Sequence, residues 1–349
     1  MPGGVKAMKS WQASYMERSK SRRSPGRMLV LCGVLFALSV LLSLGFGAAK
    51  ITPYEMWQAF LEPHSANARI LLHVRLPRTL GAVLAGAGLA VAGVIIQSVL
   101  NNPMASPSII GVNAGAGLAA ALCCGLFPTL PLMTTAAAFA GALLATLLVY
   151  GIARKTGASR ITLILAGVAV NSFLNAGTDT ITTLIPDALI GSAAFRLGGL
   201  AGVSLRMLRP AAVFILLGIG AAFLLHHELD ILTLGESTAK SLGMPVELCR
   251  FLLLMAAAAL AGAAVSFAGL LGFVGLIVPH MARFFVGNES RFLIPLSALL
   301  GGGFLTLCDL LSRLIFSPYE VPVGILMSFL GAPFFIWLLL SQRGGRRHD

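Results

Sequence analysis

Residues 228–250 form a charged segment between two long apolar runs. Only 11% of the 349 residues are charged and 57% are hydrophobic, and uncharged runs flank the segment at 210–225 and 251–282. A polar segment between such runs is typical of a loop on which a soluble partner acts, although an ordinary interfacial loop is the open alternative. Its charged residues are Glu228, Asp230, Glu236, Lys240, Glu247 and Arg250.

Glycines divide this polar segment into two short helices. Gly235 and Gly243 are expected to form turns, and Pro245 to restart the chain. The apolar side chains expected along one side of the two helices are Leu232, Leu234, Ala239, Leu242 and Met244.

A second set of polar side chains lies inside an otherwise uncharged run. Asn171, Asn175 and Asp179 recur every four residues, so a helix places them on one face, with Thr178 beside them. Because an acid at the centre of a membrane helix costs about 2.5–3.5 kcal/mol on insertion scales, this face is expected to line a water-filled path. A hydrogen-bond cluster between helices is the alternative that the sequence leaves open.

Motifs of enzymatic chemistry do not occur. The sequence has no G-x-x-x-x-G-K-[ST] phosphate loop, no H-E-x-x-H and no G-x-S-x-G. His226 and His227 are expected to form an interfacial pair, and His280 to be structural. The five cysteines have no C-x-x-C spacing and are expected to be buried small hydrophobes. We therefore expect no catalytic residue and no metal site.

The elements that must position these groups are membrane helices. Uncharged runs extend from 79 to 153 and from 321 to 342, among others, and a helix needs about 20 apolar residues to cross a bilayer. Lipid admits only helices and closed barrels, and these runs lack the alternation of barrel strands. The sequence predicts an all-α, polytopic membrane protein.

Prolines, glycines and polar turns divide the runs into ten spans. Glycines recur within them, at 86 and 93 and at 301–303 for example, and predict close packing of helix backbones. Short helices are expected in the connecting segments 48–76 and 186–206. The predicted spans are about 28–47, 75–100, 108–126, 131–152, 161–184, 208–226, 248–268, 276–287, 292–315 and 321–341.

Charge supports this count and sets an orientation. With ten spans, 17 basic residues lie on the side of both termini and 8 on the other side. Basic residues prefer the cytoplasmic side, so both termini are expected there. The expected organisation is one transmembrane domain, 28–342, between basic tails at 1–27 and 343–349, the first without a fold of its own. The net charge of +12 reflects this basic rim, so nucleic-acid binding is not expected.

Four long stretches carry a more specific pattern. They are RLPRTLGAVLAGAGLAVAGVIIQSVLNNPMASPSIIGVNAGA at 75–116, LGESTAKSLGMPV at 234–246, FAGLLGFVGLIVPHMAR at 267–283 and VPVGILMSFLGAPFFIWLL at 321–339. In this order they resemble the permease subunits of binding-protein-dependent ABC importers for iron–siderophore complexes, haem and vitamin B12. The resemblance extends from the second span to the C-terminus.

The resemblance implies an architecture and a set of partners. It implies a type II ABC importer bundle of ten helices per subunit and a homodimeric or pseudodimeric pore in the inner membrane. It also implies ABC ATPase subunits and a periplasmic or lipid-anchored solute-binding protein. ATP and Mg would be bound by the ATPase, so this chain would hold no cofactor of its own.

The resemblance also implies that segment 234–246 forms coupling helices seated in an ATPase cleft. The segment departs from the E-A-A-x-x-x-G pattern of other importer classes, because the glycine after Glu236, Gly243, stands one residue later than in that pattern. The predicted coupling residues are Leu234, Gly235, Glu236, Ala239, Lys240, Leu242, Gly243, Met244 and Pro245.

Arginines supply the second site that the resemblance implies. Arg75 and Arg78, in R-L-P-R, match arginines that meet acidic residues of the binding protein, and Arg313 matches a third. Exposed basic groups would steer an acidic partner and fix its register, whereas snorkelling to the interface is the open alternative. Asp309 lies one turn before Arg313 and could pair with it.

The predicted function is that of a permease subunit that moves an iron chelate across the inner membrane while a separate ATPase hydrolyses ATP. Haem or vitamin B12 import is the alternative within the family. An ion-gradient-driven carrier is the alternative from another class, and Asp179 is its candidate proton-binding acid. An intramembrane enzyme is disfavoured, because no acid pair or metal cluster occurs.

Overall fold

The computed structural model describes residues 25–47, 65–157, 159–315 and 317–344, together with residues 54, 55, 57, 61 and 62. Within these ranges the chain is helical and contains no strand. Most of both predicted tails, and most of segment 48–64 with its expected short helix, lie outside the described residues.

The helices agree with the predicted spans in order and in position. Seven are long and apolar enough to cross a membrane, and three shorter apolar stretches, α3, α11 and residues Val323–Leu338 of α13, complete the ten among the described residues. The expected helix after residue 185 is α6. The bounds are α1 Pro25–Gly45, α2 Ala66–Val99, α3 Val112–Leu126, α4 Pro131–Lys155, α5 Arg160–Leu184, α6 Pro186–Leu197, α7 Leu205–Leu224, α8 His226–Thr233, α9 Glu236–Ser241, α10 Val246–Ala268, α11 Val274–Val286, α12 Ser290–Leu314 and α13 Val323–Gly344.

Helix α2 forms the centre of the bundle. Of its most apolar window, 83% is buried inside the chain, against 28% for α5 and for α7. It packs against α12, α10, α11 and α7. The five cysteines are buried and unpaired with one another, as predicted. The core is therefore built around α2, whereas α5 and α7 leave most of their surface uncovered.

Irregular backbone between the spans is satisfied by other backbone, at a site that we call the backbone joint (residues 195–199, 268–270 and 324). The amide of Leu270 donates to the carbonyl of Phe195 at 2.9 Å, that of Gly199 to Ala268 at 2.8 Å, and that of Gly324 to Gly198 at 3.0 Å. Non-helical backbone at membrane depth is tolerated where protein supplies such partners. The joint thus connects the ends of α6 and α10 to the start of α13.

Glycines bring α2 and α12 into direct contact, as predicted. A β-carbon at Gly86 would collide with the carbonyl oxygen of Gly301, and one at Gly301 would lie 2.6 Å from the β-carbon of Ala90. Small residues at such crossings allow main chains to approach closely, where dispersion holds helices together in lipid.

Gly86→Ala is expected to lower the midpoint of thermal unfolding, because the added methyl group meets main chain that cannot rotate away. Overpacking of this kind costs about 1–3 kcal/mol. Gly220→Ala, in α7, is the matched control, since no atom lies within 4 Å of its β-carbon position. Thermal melts of the detergent-solubilised proteins compare the two variants, and equal midpoints would contradict the close packing of α2 on α12.

Candidate functional site

Residues 226–250, which we call the elbow, connect α7 to α10 through the short helices α8 and α9. Gly235 has a φ of 111° and Gly243 a φ of 79°. These values lie in the left-handed region that glycine adopts without steric cost. The predicted turns at both glycines are therefore confirmed.

The apolar residues of the elbow do not share one face. Leu232 and Ala239 are buried, whereas Leu234 is 64% exposed and Leu242 is 62% exposed. The expectation of a single apolar side is wrong because Leu234 and Leu242 follow the last turns of α8 and α9, where the chain leaves each helix. The buried pair packs in the hydrophobic core and anchors the elbow to the bundle. The two exposed leucines, which we call the tip of the elbow, stand where the chain leaves α8 and α9.

Glu236 forms one ion pair within α9 and a second one with the start of α10. Glu236 Oε1 lies 2.9 Å from Lys240 Nζ, and Glu236 Oε2 lies 2.9 Å from Arg250 Nη2. Arg250 is buried. The hydrogen bonds from Lys240 and from Arg250 hold the pKa of Glu236 below its usual value of 4.5. The carboxylate is consequently charged at neutral pH, and it is the charge that orients α9.

Two further contacts connect the elbow to distant helices. Asp230 Oδ1 accepts a hydrogen bond of 3.0 Å from the amide of Ser290, the first residue of α12. Arg160, the first residue of α5, donates from Nη2 to the carbonyl of Leu232 at 2.9 Å. The elbow therefore contacts α5, α10 and α12 through polar groups.

No pattern in the sequence assigns a role to Asp230 or Arg160. Their partners lie 60 and 72 residues away in the chain. The available signal was general: the first amides of a helix lack partners within the helix, and an acid is favourable beside them. It does not say which acid serves which helix.

The other end of α12 carries a buried charge network, which we call the arginine cluster (Arg78, Asp309, Arg313 and Glu320). Arg78 Nε lies 3.1 and 3.0 Å from the two carboxylate oxygens of Asp309, and Arg78 Nη1 lies 2.6 Å from Glu320 Oε2. Arg313 Nε lies 3.2 Å from Asp309 Oδ2. The predicted pairing of Asp309 with Arg313 is confirmed. Asp309 is fully buried between two arginines.

The arginines at this end are not exposed, contrary to the expectation for Arg75 and Arg78. Arg75 is 4% exposed, Arg78 8% and Arg313 5%. Arg75 Nη1 donates to the carbonyls of Leu44 and Gly45 at 2.7 and 2.8 Å, at the end of α1. A buried charge is retained where partners replace its lost hydration, and here carboxylates and main-chain carbonyls do so.

The polar stripe of α5 divides between the interior and the surface. Asn171 Nδ2 donates to the carbonyl of Ser108 at 2.9 Å, and Thr178 Oγ1 donates to the carbonyl of Leu174 at 3.0 Å. Asn175 and Asp179 are exposed on the surface of the chain. The single chain does not enclose a path along this stripe, so the role of these residues in translocation stays a prediction.

Known proteins resemble this chain over most of its length. Residues 35–341 match the FecCD transport family. The Fe(3+)-citrate import system permease protein YfmE of Bacillus subtilis is 37% identical, over 92% of this chain and 96% of that protein. The hemin transport system permease protein HmuU of Yersinia pestis is 34% identical, over 91% and 97%. The vitamin B12 import system permease protein BtuC of Vibrio cholerae is 37% identical, over 95% and 97%.

The fold is also found among solved structures. An inward-facing metal-chelate type ABC transporter is similar with a TM-score of 0.79 and 27% sequence identity, over 90% of this chain and 99% of that chain. The PsaBC protein from Streptococcus pneumoniae, in complex with a Fab, shares the fold alone, with a TM-score of 0.54 at 21% identity.

Glu236→Gln is expected to lower the thermal midpoint at neutral pH, because it removes the charge that Lys240 and Arg250 bind. Since folding lowers the pKa of Glu236, its contribution is present above the usual pKa of 4.5 and is lost as pH falls through the lowered value. The difference between wild type and variant should therefore shrink at acidic pH. Thermal melts between pH 7 and pH 3.5 measure this difference.

Glu247→Gln is the control for that experiment, because it removes an equal charge from α10, and among the ion pairs of the described residues Glu247 has none with Lys240 or Arg250. A Glu236→Gln variant that melts with the wild type at neutral pH would show that the ion pairs do not hold α9.

Proposed function

The chain belongs to the FecCD transport family, and on that premise we propose that it is the permease subunit of an ATP-driven importer for an iron chelate. Its partners in this proposal are ABC ATPase subunits, an external solute-binding protein and a second copy of the chain. The chain lies in the inner membrane with both termini in the cytoplasm. ATP and Mg are bound by the ATPase, and the chain itself performs no bond chemistry.

The observation that carries this proposal is the construction of the elbow. The two leucines of the tip, Leu234 and Leu242, are 64% and 62% exposed, and they lie in a polar segment outside the transmembrane helices, where a soluble subunit could bury them. Beneath the tip, Glu236 and Arg250 fix α9 to α10. The elbow thus has an apolar surface that a soluble subunit can bind and a stiff base that transmits its movement.

Movement of the elbow reaches the transmembrane helices through the contacts described above. Asp230 is hydrogen-bonded to the start of α12, and Arg160 connects the elbow to the start of α5. When the ATPase subunits close on ATP, they displace the elbow, and α5 and α12 tilt with it. Alternating access follows, with the path open to one side at a time.

A second copy of the chain completes the path in this proposal. Asn175 and Asp179 face outward on α5, whose most apolar window is only 28% buried. A second copy packed against α5 would enclose these polar groups, away from lipid, in a path shared by both subunits. Charged and polar groups within a membrane characteristically face such a cavity.

Iron chelates are the preferred cargo because relatives of this chain are named for them. They include permeases of Fe(3+)-citrate and iron(3+)-hydroxamate import systems. Hemin and vitamin B12 permeases have a similar sequence identity to this chain, so haem and vitamin B12 remain the alternatives. An ion-gradient carrier is less well supported, since Asp309 is already paired with Arg78 and Arg313 and leaves Asp179 as the candidate acid.

Uptake by proteoliposomes tests the proposal. We expect a radioactive iron–citrate or iron–hydroxamate chelate to enter only when the permease, the ATPase subunits, the solute-binding protein and ATP are all present. Liposomes that hold the permease alone, with an imposed proton gradient, are the control. Accumulation by the permease alone would replace the proposal with the ion-gradient carrier.

Leu242→Glu is expected to uncouple the ATPase from transport, because it places a charge on the apolar tip of the elbow. Full burial of a leucine is worth about 1.5–3 kcal/mol, so ATPase association should weaken by about tenfold to a hundredfold. The chelate imported per ATP hydrolysed, and the affinity of the ATPase for the solubilised permease, measure the effect.

Thr156→Glu is the matched control for Leu242→Glu. It adds the same charge at an exposed position on the same side of the bundle, in the connection from α4 to α5. Normal coupling in Leu242→Glu would contradict the role of the elbow. An equal defect in Thr156→Glu would show that added charge on this side of the bundle, and not the loss of Leu242, causes the effect.

A further inference from the structure

The arginine cluster has one member that reaches solvent, Glu320. Its side chain is 45% exposed, whereas that of Asp309 is fully buried and that of Arg78 is 9% exposed. Glu320 lies in the connection between α12 and α13, and Arg78 lies in α2. The surface contact of the cluster therefore joins a loop to the central helix of the bundle.

Arg78 presents two edges of its guanidinium group to two different carboxylates. Nε faces inward to Asp309, and Nη1 faces outward to Glu320 at 2.6 Å. Buried ion pairs are costly to break, because a lone charge would stay in the protein interior. Exposed pairs are worth little, since water competes for both partners. The outer pair can thus be exchanged while the inner pair stays intact.

The other two arginines at this end bind α1. Arg75 Nη1 binds the last carbonyls of α1. Arg313 Nη2 donates to Ser43 Oγ at 2.8 Å, and its Nε faces the buried Asp309. Both side chains join α1 to its neighbours. A partner carboxylate that approaches this end from solvent meets Arg78 through Glu320.

We propose that Glu320 is an internal stand-in for a carboxylate of the solute-binding protein. It occupies Arg78 Nη1 in the undocked transporter, and the carboxylate of the docked partner takes its place. The inference rests on the proposed function, together with the docking of acidic residues of the solute-binding protein at Arg78 that the family resemblance implies. Docking is then an exchange of one exposed ion pair for another, which gives register and reversibility with little net gain in affinity.

The exchange also acts on the connection to α13. When Glu320 leaves Arg78, residues 317–322 lose a side-chain tie to α2 and keep the bond between the amide of Val321 and the carbonyl of Ser312, at 3.4 Å. The binding of a partner carboxylate to Arg78 thereby loosens the connection that leads to the start of α13. Because that main-chain bond remains, neutralising Glu320 should leave the fold intact.

Glu320→Gln in the complete transporter, permease with ATPase subunits in lipid nanodiscs, tests this inference. Without the competing charge, the cognate solute-binding protein should bind about two- to fivefold more tightly, the range that an exposed ion pair is worth. Arg78 should also react faster with phenylglyoxal, a small reagent for guanidinium groups, as followed by peptide mass spectrometry. Asp187→Asn removes an equal charge from the first turn of α6, at the same end, and should change neither quantity.

Each outcome decides whether Glu320 is a stand-in for a partner carboxylate or only attaches the α12–α13 connection to Arg78. Unchanged or weaker docking of Glu320→Gln, or unchanged reactivity of Arg78, overturns the inference, as does equal tightening by Asp187→Asn. Arg78→Lys separates the two levels, because it keeps the charge and loses the two-edged geometry. If Arg78→Lys docks as the wild type does, the docking role itself fails. If Arg78→Lys binds the solute-binding protein more weakly while Glu320→Gln binds it as the wild type does, the docking role of Arg78 is supported and the stand-in role of Glu320 is refuted.

Discussion

The carboxylate of Asp309, enclosed by Arg78 and Arg313, is the interaction on which the rest of the structure depends. A charge that is buried away from water must be paired and hydrogen-bonded, because an unpaired buried charge strongly destabilises the fold. The pairing joins α2 to α12 across 231 residues of chain. It sets the axial position of two helices whose backbones touch at Gly86 and Gly301, and through Ser43 it holds α1 as well.

Helix α12 thereby connects two different kinds of polar contact. Its last turns belong to the buried arginine cluster, and its first amide is bound by Asp230 of the elbow. A helix of 25 residues is about 37 Å long at 1.5 Å per residue. In the proposed mechanism, a displacement of the elbow therefore acts on the helix whose other end lies where the binding protein is proposed to dock, although Pro295 and Gly301–Gly303 interrupt its regular helical sequence.

Local sequence features predicted the fold well because membrane helices depend on local composition. Uncharged runs marked the spans, Gly235 and Gly243 marked the turns, and the spacing of Asp309 and Arg313 marked their pairing. The pairs of Arg78 with Asp309 and Glu320 could not be predicted, since residues 231 and 242 positions apart meet only through packing. The burial of Arg75 and Arg78 was not predicted, because arginines at the end of a span were expected to be exposed. Leu234 and Leu242 were misplaced because helical periodicity does not continue past a helix end.

The backbone joint has a consequence for how such a chain can diversify. Its bonds, from Leu270 to Phe195 and from Gly324 to Gly198, join main-chain atoms. They require glycine at 198 and 324, where a β-carbon would collide with main-chain carbonyl groups, but they use no side chain of the other residues. Substitutions at positions outside the joint can therefore accumulate without breaking these bonds. One scaffold can in this way serve molecules as dissimilar as ferric citrate and a corrinoid, which is the range of cargo that its relatives are named for.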